Sequence, residues 1–462
     1  MAKVIDITQE HPDYRARKAM RRKYRHLYTG GEQLKESASE YLVRRQKEPA
    51  DVYEERLNRV YYENYVGSII DWYAATLFRR EPALSFDSPD EFARRFFRTF
   101  AEDCDRKGTA LSDYFRRQLV ETLVEGVSYT LVDFPRSDRP AGTKAEEEAR
   151  GISRAYLVPY TAEDLINWSH DQTGNLEWVV LRTSRLRKAR IDDEAWTEDT
   201  TWTYYDKERF AVYQQRPDGP VLVDRGHHAL AGQHRVPLFD LRVTDGLWLM
   251  NKAGLLQLEH FNKSNALSWA LTMGLFAMPV VYSEREWSQM VGESYYIQLG
   301  PEDRFGWTEP EGHVYQIAAS NLDRLKEEIY RVCYLMTQAG GPLSSGTSQS
   351  GLSKQRDYAI TQEVLRAYGD AVKDTLKRIL RSIGEARGDV ISIDVSGLDE
   401  FDIGDFSSEI DDAERLLAMN IGSTSFKKQI FRRLASKYLC DVRQEVKDEI
   451  STEIDAWLNQ SA

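Results

Sequence analysis

At 462 residues, 41% hydrophobic and 29% charged, with 25 Tyr and 10 Trp, the chain has material for several cored domains or subdomains, which excludes wholesale disorder. Its formal charge of −12 speaks against a tight nucleic-acid binder, which needs a basic footprint. Cys104, Cys333 and Cys440 stand far apart without CxxC or Cys/His ligand spacing, which argues against a disulfide framework or zinc site and points to a reducing cytoplasm.

The N-terminal MAKVIDITQEHPDY has no apolar core of a secretory signal. Arg15, Arg17, Lys18, Arg21, Arg22, Lys23 and Arg25 then place seven basic residues within eleven, which reads as a solvated helix face before it reads as a surface for nucleic acid or an acidic partner. Residues Asp51 to Arg79 carry Leu57, Val60, Tyr61, Tyr65, Ile69, Trp72 and Leu77 at helical spacing, so one long helix stopped by Pro82 is expected. A second helix spans Leu111 to Glu125, ends at Gly126 and gives way to the strand-like VSYTLVDFP. Beyond a charged insertion, residues 154–245 carry the strand runs AYLVPY, LEWVVLRTS, TWTYY and RFAVYQ, divided by turn groups such as RPDGP. A helical layer followed by a mainly antiparallel β layer defines an α+β fold.

Leu247 to Phe276 reads as a helix. The uncharged stretch Asn265 to Ser283 contains Asn265, Ser268, Thr272 and Pro279, so it is a buried helix running into a strand rather than a membrane span. A short β-rich section, Pro279 to Ile317, holds VVYS, YYIQLG and HVYQIA. Leu322, Leu325, Ile329, Val332 and Met336 line one face of the next helix, with Ser320 and Asp323 placed to cap it. Ala339 to Ser353, AGGPLSSGTSQSGLS, has four Gly, five Ser and no charge, too little apolar surface to offset its ordering entropy, so a mobile loop is expected. Tyr358, Thr361, Leu365, Tyr368, Val372, Leu376, Ile379 and Ile383 then mark one face of a long helix. Gly388 to Glu414 has ten acidic residues and no basic one; within it VISIDVSG alternates like a strand. From Phe406 onward three short helices follow, broken at Asn420 to Ser423 and around Cys440. No internal repeat is visible.

No GxGxxG, Walker A, HExxH or GxSxG sequence occurs. His227, His228 and His234 lack a carboxylate at ligand spacing. Asp399, Asp402, Asp405, Asp411 and Asp412 would need to converge on ions a few Å apart to act as a two-metal nuclease or hydrolase, and they straddle a Gly-bearing linker. No cofactor, metal or catalytic residue is expected.

The order of elements is more informative than any one motif. The segments YEERLNRVYYENYVGSIIDWYAATLFRREP, LVEGVSYTLVDFP, VPYTAEDLINW, LEHFNKSNALSWALTMGLFAMPVVY, WTEPEGHVYQI and YAITQEVLRAYGDAVKDTLKRIL, in this order, resemble the portal, or head-to-tail connector, proteins of tailed double-stranded DNA bacteriophages. The resemblance spans roughly residues 40–415. It implies a ring, commonly a dodecamer, with wing, stem, clip and crown regions around a DNA channel at one capsid vertex, assembled in the host cytoplasm. The wing would be 1–246, the first stem helix 247–278, the clip 279–317, the second stem helix 318–338, the tunnel loop 339–353, the long wing helix and strand 354–405, and the crown 406–462.

The implied partners are double-stranded DNA, a terminase packaging motor that supplies the ATPase, major capsid and scaffold proteins, and a tail adaptor; no membrane is involved. The tunnel loop would present Gly340, Gly341, Pro342, Leu343, Ser344, Ser345, Gly346, Thr347 and Gly351. Lys354 and Arg356 at its exit would touch DNA, and Trp287, Tyr295, Tyr296, Trp307 and Tyr315 would dock partners on the clip. The competing readings are a metal-dependent enzyme built on the Asp-rich segment and a different virion protein such as a tail adaptor.

Overall fold

The computed structural model describes residues 6–79, 81–135, 142–188, 191, 195–274, 278–284, 301–308, 312–335, 351–398, 406–419, 423–438 and 444–460. In chain order, α1 (Pro12–Thr29), α2 (Gly31–Glu36), α3 (Ala50–Asn58) and α4 (Tyr65–Leu77) lead to β1 (Ala83–Asp87). Next come α5 (Glu91–Glu102), α6 (Leu111–Glu125), β2 (Val127–Asp133), α7 (Lys144–Ala149) and β3 (Tyr156–Tyr160). A run of strands follows: β4 (Leu165–His170), β5 (Leu176–Arg187), β6 (Thr197–Asp206), β7 (Arg209–Arg216), β8 (Gly219–His227) and β9 (Leu238–Arg242). Then α8 (Leu249–Gly274), β10 (Met278–Tyr282), β11 (Arg304–Thr308), α9 (Gly312–Val332), α10 (Gly351–Arg387), β12 (Ser392–Ser396), α11 (Phe406–Ala418), α12 (Thr424–Tyr438) and α13 (Gln444–Gln460) complete the chain. The fold is α+β. Two units are distinguished: Met1–Arg25, Ile69–Asn251 and Gly351–Ala462 form the first, and His26–Ser68 with Lys252–Ser350 the second.

In the first unit, β4 to β8 form an antiparallel meander in sequence order, with a turn at Pro217 and Asp218 between β7 and β8. Val179, Val180 and Leu181 on β5 are all buried, although successive strand residues face opposite ways. The sheet is therefore covered on both sides there: Val179 and Leu181 join a cluster with Val127, Leu131 and Leu238, whereas Val180 packs with Tyr14, Ile166 and Trp202. A second sheet has the order β3-β2-β9. Helix α6 stops at Gly126, whose φ of +84° is the left-handed conformation glycine adopts without strain. A Cβ there would lie 3.0 Å from Trp248, whose indole N–H donates to the Val124 carbonyl at 3.0 Å.

The expected face of α10 is the buried one, with Thr361, Leu365, Tyr368, Val372, Leu376, Ile379 and Ile383 all inside. Strand β12 pairs antiparallel with β1, an element sequence periodicity did not mark, so that Leu84 faces Val395 and Phe86 faces Ile393. The helix expected over Asp51–Arg79 is instead two helices, α3 and α4, because the stretch between them finds better partners. Asn64 caps α4 by accepting from Gly67 N at 2.9 Å. Asn265 brackets Tyr61, accepting from its N–H at 3.1 Å and donating to its carbonyl at 2.9 Å. Gln257 accepts from Tyr65 N and Val66 N and donates to the Glu63 carbonyl.

Candidate functional site

The second unit holds the helix, β excursion and returning helix. Strands β10 and β11 pair antiparallel, Met278 opposite Thr308 and Tyr282 opposite Arg304. The returning helix α9 begins at Gly312, not near residue 318, and HVYQIA is its first part rather than a strand. Ser320 is consequently mid-helix and caps nothing. Six residues of apolar and polar alternation do not separate strand from helix, and the Ala318–Ala319 pair favours the helix. Helix α9 ends at Val332 with Tyr334 in the left-handed region at φ 62°; Tyr334 N donates to Arg331 O and Leu335 N to Tyr330 O, which satisfies those two carbonyls of the last turn. The helix is over before Met336, which lies outside the described residues.

Leu325, Ile329 and Cys333 are buried, while Val314 is 63% and Ile317 57% exposed. Helix α8 mixes apolar and polar residues around its circumference: Ala253 and Phe261 are buried, Lys263 pairs with Glu259 at 3.0 Å, and Leu255 stands 63% and Leu271 40% exposed. His260 on α8 is buried against Tyr65, edge to face at 5.1 Å. Burial pulls its pKa down, against the Glu63 carboxylate 3.7 Å away.

Of the expected clip residues, Tyr315 is on α9, where its hydroxyl donates to the Ala270 carbonyl of α8 at 3.3 Å; it ties two helices together. Trp307 stands on β11 opposite Pro279, and Trp287, Tyr295 and Tyr296 lie outside the described residues. So do the loop positions from Gly340 to Thr347. Gly351 belongs to the first turn of α10 rather than to the loop, as do Leu352 and Ser353; first-turn N–H groups have no intrahelical acceptor, so weak helix formers are tolerated there. Lys354 and Arg356 follow on the same helix.

His227, His228 and His234 do not converge. His228 is buried with Nε2 2.9 Å from the Asp206 carbonyl, and burial lowers its pKa; His234 is exposed at φ 47°, beside Glu208. Among the described residues no group of three or more His, Cys, Asp or Glu side chains is placed to hold a metal. Asp399, Asp402 and Asp405 lie outside them, and Asp411 and Asp412 are on α11.

The basic run on α1 is not a uniformly solvated face. Lys18 pairs with Glu10 at 2.9 Å, and Arg25 is bound by Glu121 and the buried Glu125. Arg21 is 6% exposed, with Nη1 donating to the Ala162 carbonyl at 2.9 Å. Arg17 and Arg21 border a cleft of about 760 Å³ within the first unit, together with Arg235, Arg242 from β9 and Arg378 from α10. Sequence reasoning missed this assembly, for which the only local signal was the basic run.

No family model matches the chain, and no curated protein matches it. Among solved structures it is similar to a chain in the neck of an empty GTA particle computed with C6 symmetry (TM-score 0.42, 11% identity, 77% of this chain and 85% of that chain). It is also similar to one in the virion of a native gene transfer agent particle (TM-score 0.39, 12% identity, 84% and 94%). A third is in the neck of the native particle computed with C12 symmetry (TM-score 0.38, 12% identity, 80% and 89%). Likeness at this level carries no argument about function. Among the described residues no helix is long and apolar enough to cross a membrane.

Proposed function

We propose that this chain is a structural subunit of a phage-like virion, and more closely a portal subunit whose closed ring forms the DNA channel at a capsid vertex. The observation that supports the reading is the set of apolar side chains left in water on consecutive elements: Leu255 and Leu271 on α8 and, after the paired strands β10 and β11, Val314 and Ile317 on α9. Apolar side chains exposed on adjacent elements gain by being covered, and repeated copies in a head-to-tail ring would supply that cover. On this reading residues 1–246 and 351–405 are wing, 247–278 and α9 stem, the segment between them clip, the segment between α9 and α10 the tunnel loop, and 406–462 crown. DNA, a terminase motor, capsid and scaffold proteins and a tail adaptor are its partners, and it performs no catalysis.

The test is particle size. Electron microscopy of the purified chain is expected to give large closed rings, commonly of twelve copies. Leu255→Asp combined with Val314→Asp is expected to leave smaller species with unchanged circular dichroism. A monodisperse monomer at micromolar concentration, alone and with capsid and scaffold proteins, refutes the proposal.

A further inference from the structure

The cleft bordered by α1, β9 and α10 is positively charged in a chain that is negatively charged overall. Six cationic side chains line it against three carboxylates. Two carboxylates are taken: Asp171 holds Lys207 at 2.8 Å, and Asp240 serves both Arg378 at 3.2 Å and Arg242 at 3.5 Å. Arg17, Arg21 and Arg235 have no carboxylate within ion-pair distance among the described residues.

These three are held apart from such partners by the fold. Arg21 is 94% buried as a side-chain-bearing residue of α1 and one donor, Nη1, is used on a backbone carbonyl, yet its Nε has no partner among the described residues. A buried guanidinium with an unmade hydrogen bond is costly unless something else completes it. Arg17 sits one helical turn before Arg21 and repels it. Arg235 is fixed over the Phe239 ring at 4.6 Å and donates to Ser382 Oγ at 3.0 Å, with Arg378 as a second like-charged neighbour. Burial lowers the pKa of both Arg21 and Arg235; at Arg21 the nearby Tyr129 and Glu125 oppose this and Arg17 adds to it less strongly, whereas at Arg235 Arg378 adds to the lowering and Glu385 opposes it.

We propose that this cleft is a phosphate-binding site, which takes a compound or chain presenting at least two phosphate groups. Each phosphate monoester carries about 1.5 to 2 negative charges, so two offset the surplus in a space where carboxylates, one charge each, would not. Guanidinium forks match phosphate oxygens in bidentate geometry. A volume of about 760 Å³ is that of a small-ligand cleft and admits a short anion or one strand rather than a duplex cross-section. The site is independent of whether the chain forms a ring.

The test is calorimetric titration of the full chain with inorganic tripolyphosphate at low salt, repeated with double-stranded and single-stranded DNA oligonucleotides and with an oligoglutamate of equal charge. Saturable tripolyphosphate binding is expected. Arg17→Gln and Arg235→Gln are each expected to weaken it about tenfold, or about 1.4 kcal/mol, with unchanged circular dichroism. Because both avoid the buried position, they keep the test meaningful if Arg21→Gln fails to fold. DNA that competes with tripolyphosphate supports the site with a nucleic acid as the source; DNA that does not compete supports it with a free phosphate compound. Absence of saturable binding, binding undiminished in both variants, or tighter binding of oligoglutamate than of tripolyphosphate overturns the proposal.

Discussion

Gly369 lies inside α10, where helix propensity alone says that alanine should gain about 1 kcal/mol. The structure says the reverse. A Cβ at this position would stand 2.0 Å from the Leu398 carbonyl oxygen, more than an ångström inside ordinary contact. The obstacle is backbone, which has no rotamer to escape into, and Leu398 is itself held at φ 59° just past β12. Overpacking costs typically about 1–3 kcal/mol, and an immovable neighbour places this case at the upper end, so about 2 kcal/mol net destabilisation remains after the propensity gain. With an unfolding entropy of about 2.1 cal/mol/K per residue over roughly 300 residues of the first unit, Gly369→Ala is expected to melt about 3 °C lower. Thermal denaturation followed by circular dichroism measures this, with Gly232→Ala, where a Cβ meets nothing within 4 Å, expected within about 0.5 kcal/mol of the parent. Hydrogen exchange along β1 and β12 is expected to rise in the Gly369 variant. A melting temperature equal to or above the parent's refutes the close-approach account.

Arg56 and Glu48 form a buried pair in the second unit, Nη1 lying 2.8 and 2.7 Å from the two carboxylate oxygens; Arg56→Met is expected to cost about 3–5 kcal/mol in urea denaturation, and Arg56→Met with Glu48→Leu to recover most of it. His228, buried and depressed in pKa, takes up a proton less readily when folded than when unfolded. Its contribution is therefore intact above about pH 6.5 and lost as pH falls toward the folded pKa, and His228→Gln, which can still donate to the Asp206 carbonyl, is expected to flatten the fall of melting temperature between about pH 6.5 and 5.5. Parallel melting profiles for parent and variant would contradict this.

Elements whose partners are local or whose periodicity is long were legible in the sequence. Helix α6 ends where Gly126 permits the left-handed turn, and α10 buries the face marked by Leu365, Tyr368 and Val372. What was illegible depends on residues distant in sequence. The interruption between α3 and α4 is set by Gln257 and Asn265, about two hundred positions on, whose amides compete with helix hydrogen bonds. Strand β1 has five residues and is defined by β12, to which it pairs across some three hundred positions. The alternation in HVYQIA fits a strand as well as the helix it forms.

The charge of the chain shows the same limit most clearly. A total of −12 argues against a tight nucleic-acid binder, yet a total has no position. On α1 the fold sorts seven basic residues by their surroundings: Lys18 and Arg25 are paired with glutamates from elsewhere in the first unit, while Arg17 and Arg21 face the cleft without one. Exposed charges farther than about 8 Å are largely screened at physiological salt, so an anion in the cleft interacts with its local surplus rather than with the average of the chain. Net charge can thus disfavour broad adhesion to DNA while one recess remains suited to phosphate.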